Sequence, residues 1–87
     1  MLFPMEKKTR MKHKAMPLSL VSAGERVRLV RVRGRHRFVN RLTSMGLTPG
    51  VEFSVLQDCG GPKMLSVRGS KVAIGHGIAH RILVEII

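Results

Sequence analysis

The sequence predicts an all-β (mainly β) fold: a small five-stranded barrel with one short helix after the first strand and a helical turn before the last. Three observations carry this prediction. Short runs alternate apolar with polar residues, the period of a half-buried strand. Gly- and Pro-containing turn signals separate those runs. Eighty-seven residues also leave room for one core at most, and closing a sheet on itself is an economical way to build it.

The chain divides into a flexible basic N-terminal arm, residues 1–16, and a folded part, residues 17–87. The arm holds Lys7, Lys8, Arg10, Lys12 and Lys14 against Glu6 and shows no apolar periodicity. The first strand spans Glu25 to Arg33. Val27 and Leu29 alternate with Arg26 and Arg28, then Val30 and Val32 alternate with Arg31 and Arg33. The phase slips where Leu29 meets Val30, so a bulge is expected there, keeping both apolar pairs inward and leaving a ladder of arginines outside.

Phe38, Leu42 and Met45 stand at i, i+4 and i+7, one apolar stripe of a helix whose other side carries Asn40, Arg41 and Ser44, with Arg37 at its entrance. Gly46 suits the left-handed residue that ends the helix, with Leu47 folding back on Leu42. Thr48-Pro49-Gly50 reads as a tight turn, proline setting φ at its second position and glycine supplying positive φ at its third. Val51, Phe53 and Val55 form the next strand, and Asp58-Cys59-Gly60-Gly61-Pro62 a loop. Leu65 and Val67 follow in alternation, and Gly69-Ser70 is a two-residue hairpin signal into Lys71-Val72-Ala73-Ile74. Gly75 to Arg81 supplies the helical turn, with Ile78 and Ile82 inward, and Leu83 to Ile87 the last strand.

Charge narrows the function. Sixteen Lys and Arg oppose five Asp and Glu, for a net +11, so the protein favours an acidic partner. Nucleic acid is disfavoured as that partner, because single-strand binding leans on stacking and the chain has no Trp, no Tyr and three Phe. No run approaches the roughly 20 apolar residues of a membrane span, and the N-terminus lacks a secretory pattern, so a cytoplasmic protein is expected. The single cysteine, Cys59, has no internal partner and reads as a surface thiol.

Catalytic patterns fail one by one. Gly75-x-Gly77 lacks the third glycine of a dinucleotide loop, His80 standing there instead, and no phosphate-cradling GxxxxGK[ST] run is present. The five acids offer no spaced pair for acid–base work. The chain is therefore expected to be no enzyme. His76 and His80, four apart, share a helical face and can touch a divalent metal, but two imidazoles make an incomplete site. No cofactor is expected to be required, and an adventitious zinc or iron ion is the extent of the metal foreseen.

The order of these residues resembles the FeoA family. The resemblance lies in Gly24-Glu25, in Leu42-Thr43-Ser44-Met45-Gly46-Leu47-Thr48-Pro49-Gly50, and later in Gly61-Pro62, Val67-Arg68-Gly69, Val72-Ala73-Ile74 and residues 79–85. It covers about residues 17–87. It implies an SH3-like barrel, similar also to the C-terminal domain of iron- and manganese-dependent repressors. It further implies a cytoplasmic accessory of ferrous iron uptake that binds the cytosolic part of FeoB, a membrane GTPase transporter. In this reading Leu42, Met45, Gly46, Leu47, Pro49 and Gly50 hold the fold by burial and backbone angle. Arg31, Arg33, Arg37 and Arg41 form the partner surface. A basic nucleic-acid-binding barrel and a metal-responsive regulatory module stay open as alternatives, as does a weak homodimer through exposed strand edges.

Overall fold

Residues 15–57 and 61–87 are described by the computed structural model. The basic arm up to residue 14 and the Asp58-Cys59-Gly60 segment with its thiol lie outside the described residues. Among the described residues the strands are β1 (Met16–Pro17), β2 (Arg26–Val32), β3 (Glu52–Gln57), β4 (Lys63–Val67), β5 (Ser70–Ile74) and β6 (Ile82–Ile86). A 3-10 turn (Leu18–Leu20) follows β1, and the helices are α1 (His36–Ser44) and α2 (His76–Ala79). All strand pairs are antiparallel, in the order β1-β6-β2-β3-β4-β5.

The five strands expected from alternation are present, and a sixth is added. Met16 pairs with Val84 and Pro17 with Leu83. A two-residue strand shows no period of its own; its partner, β6, defines it. Met16 thus belongs to the sheet, not to the arm.

In β2 the register against β6 shifts between Leu29 and Arg31, which places the bulge where the apolar phase slips. Val27 and Leu29 are buried and Val32 packs against the core. Val30 departs from expectation. It is the extra residue of the bulge, without a partner across the ladder, and lies exposed.

Helix α1 ends at Ser44, and the backbone N–H groups of Gly46 and Leu47 donate to the carbonyls of Thr43 and Leu42, each at 2.9 Å. This double bond pattern is the Schellman stop, made with Gly46 at φ +89°. Leu42 and Leu47 are buried. Met45, expected inside with them, is 37% exposed: it caps the helix rather than continuing it, and the reversal at Gly46 turns it outward. Behind the stop, Val51 N–H donates to Thr48 O at 3.0 Å across Pro49-Gly50, closing the expected turn with Gly50 at φ +93°. The turn is stapled to β2, Gly50 N–H donating to Leu29 O at 2.7 Å and Leu29 N–H to Val51 O at 2.8 Å.

The β4–β5 hairpin turns one residue earlier than Gly69-Ser70 suggests. Val67 pairs with Ser70, so Arg68 (φ 51°) and Gly69 (φ 84°) form the loop. Positive φ at both positions is the type I′ turn, whose twist matches that of the strands it joins.

The core is one cluster. Val27, Leu29, Phe53, Val55, Leu65, Ile74, Ile82 and Val84 come from the strands, joined by Leu18 and Val21 after β1, Leu42 and Leu47 around the helix stop, and Ala79 of α2. Phe53 is fully buried and is its largest side chain. Lys63 lies among them at 2% exposure, its Nζ donating to Val21 O at 2.8 Å.

Candidate functional site

The cations of β2 fall into two groups. Arg28 Nη1 donates to Glu85 Oε2 at 3.0 Å and Nη2 to Glu52 Oε2 at 3.3 Å, reaching across both neighbouring strands. These two carboxylates, Glu85 foremost, hold the Arg28 guanidinium pKa above its ordinary value. Arg26 stands 3.6 Å from Glu52 and donates to Ser54 Oγ at 3.2 Å. The first half of the arginine ladder is therefore neutralised within the sheet.

Beyond the bulge the ladder is different. Arg31 and Arg33 are exposed and have no carboxylate partner among the described residues. The same is true of Arg37 and Arg41, one helical turn apart on α1 and so on one face of it. Exposed Val30 and Met45 add apolar surface to these elements. Of the signature residues, Leu42, Gly46, Leu47, Pro49 and Gly50 build the helix stop and turn just described.

His76 opens α2 and His80 caps its end; both are exposed. His80 Nδ1 lies 3.3 Å from Ser19 Oγ, in hydrogen-bonding contact with the 3-10 turn. Among the described residues no three His, Cys, Asp or Glu side chains converge as metal ligands would.

One arrangement escaped sequence reading. Arg33 N–H donates to Arg81 O at 2.8 Å, tying the end of β2 to the residue before β6. The Arg81 guanidinium sits 5.4 Å over the Phe38 ring, a cation–π contact. Arg33, Gly34, His80 and Arg81 line a depression of about 270 Å³. Gly34 directly after an arginine, with an aromatic four residues on, is the local signal. Arg81 and His80 join it only through β-pairing across some fifty positions of chain. No helix among the described residues is long and apolar enough to cross a membrane.

Comparison with known proteins sets this geometry in context. Residues 16–86 match the FeoA domain family. The "Putative Fe(2+) transport protein A" of Methanocaldococcus jannaschii is 36% identical over 69 residues, covering 79% of this chain and 84% of that protein. The crystal structure of an iron uptake regulatory protein (FeoA) superposes with a TM-score of 0.80 at 39% identity, covering 85% of this chain and all of the other. A manganese-dependent transcriptional repressor is similar in fold alone, with a TM-score of 0.77 at 18% identity over 84% of this chain and 41% of its own.

Proposed function

The chain belongs to the FeoA domain family, and on that premise we propose that it is a non-enzymatic accessory of ferrous iron uptake, docking on the cytosolic part of a FeoB-type membrane GTPase transporter. The observation that carries this reading is the split of the arginine ladder. Arg26 and Arg28 are held by Glu52 and Glu85, whereas Arg31, Arg33, Arg37 and Arg41 are exposed without carboxylate partners among the described residues. Charges spent inside a fold stabilise it; charges left outside attract an acidic face and speed encounter with it. Val30 and Met45 supply apolar contact beside them. Docking acts by differential affinity: it biases the partner toward whichever state it binds more tightly, and no covalent step is required of this chain.

Titration of the full chain against the transporter's soluble GTPase domain tests the reading. Binding that weakens as salt is raised, and that falls at least tenfold in an Arg37→Glu/Arg41→Glu variant of unchanged stability, is expected. Absence of binding, together with unchanged ferrous uptake in cells lacking the chain, overturns it.

A further inference from the structure

Beyond docking, we infer that the depression lined by Arg33, Gly34, His80 and Arg81 is a binding site for a phosphoryl anion. Arg33 and Arg81 both line it because the backbone bond from Arg33 N–H to Arg81 O, 2.8 Å, holds their main chains side by side. Like charges held side by side are unfavourable unless something anionic lies between them. Neither arginine has a carboxylate partner among the described residues. Arg81 is also oriented, its guanidinium resting over the Phe38 ring at 5.4 Å, so less side-chain freedom is lost when it closes on a ligand.

His80 supplies a third donor. With Nδ1 accepting from the Ser19 hydroxyl, Oγ 3.3 Å away, the ring proton sits on Nε2, the nitrogen left to donate to a ligand. Gly34 forms the remaining wall, and its lack of a side chain is built in: a Cβ there stands 2.6 Å from Phe38 Cδ2. Donors from two arginine forks and one imidazole suit a group with three terminal oxygens better than the two of a carboxylate. The ligand is accordingly free phosphate or the terminal phosphate of a monoester.

The test is an amide NMR titration of the full chain at constant ionic strength, with inorganic phosphate, glycerol phosphate and chloride as separate additions. Saturable shifts centred on Arg33, Gly34, His80 and Arg81 with phosphate or the monoester, and none with chloride, are expected. Whichever of the two saturates at the lower concentration identifies the source of the phosphoryl group. In Arg33→Gln/Arg81→Gln the apparent dissociation constant should rise at least tenfold, the melting temperature showing that the variant is folded. Linear shifts spread over all the exposed arginines, or the same response to chloride, overturn the site without need of any variant. Such a failure leaves binding to the GTPase domain unaffected as a separate measurement.

Discussion

Gly34 and Phe38 share one space: a methyl group on the glycine would lie 2.6 Å from Cδ2 of the ring and 3.3 Å from Cγ. The ring therefore packs against bare backbone, and in that position it carries the Arg81 guanidinium. Sheet end, helix start and cationic depression are joined through this contact.

Gly34→Ala should displace the ring as well as strain a backbone at φ +146°. A loss of about 1–3 kcal/mol is expected, measured by urea unfolding. The Arg81 side-chain resonances should shift along with it.

Leu42→Ala and Met45→Ala should separate cleanly. Leu42 is fully buried, and truncating it should cost about 2–5 kcal/mol. Met45 is turned outward by the helix stop, and its truncation should cost no more than about 0.5 kcal/mol. Equal losses would place Met45 in the core.

Lys63→Ala should destabilise more than Lys63→Met. Both remove the donor to Val21 O, a loss of about 1–3 kcal/mol for a buried carbonyl. Only the alanine also leaves a cavity among Leu65, Val67 and their neighbours. Denaturant midpoints of the two variants give the order.

Arg68→Asn should stabilise. Arg68 occupies the left-handed region at φ 51° in the first position of a type I′ turn, and Asn-Gly is the pair that turn favours. A gain of about 0.5–1 kcal/mol, a few degrees in melting temperature for a domain of this size, is expected.

Arg28→Gln should lower the melting temperature, and the difference from the unaltered chain should narrow in high salt. The pKa of Arg28 is raised on folding, so its contribution is fully present below the unfolded value and is lost only as pH climbs through the folded one. The difference should therefore stay flat between pH 7 and about pH 10.

Much of this architecture can be read from residues in order. Alternation locates β2 and β3; the doubled Leu29-Val30 marks the bulge; Gly46-Leu47 and Thr48-Pro49-Gly50 mark a stop and a turn whose hydrogen bonds are local. What stays hidden depends on distant chain. Met16–Pro17 becomes a strand only because Val84 and Leu83 lie beside it. Arg81 meets Arg33 and Phe38 only after β6 has aligned with β2. Lys63 did leave a trace, since it continues the inward phase of Leu65 and Val67, but a lysine at a core position contradicts ordinary patterning. Met45 misleads in the opposite way: the stripe Phe38, Leu42, Met45 is genuine helical spacing, cut one residue short by Gly46.

The strand order carries a consequence for biosynthesis. Of the described strands β6 comes last in chain order, yet it is seated between β1 and β2, so those earlier strands wait for it with the edges that face it bare. While a ribosome is still translating, everything before residue 82 is a sheet missing an interior member. Closure has to follow emergence of residue 86 from the exit tunnel. Folding of this domain thus waits on β6, and a nascent chain truncated before it exposes unpaired strand edges to its neighbours.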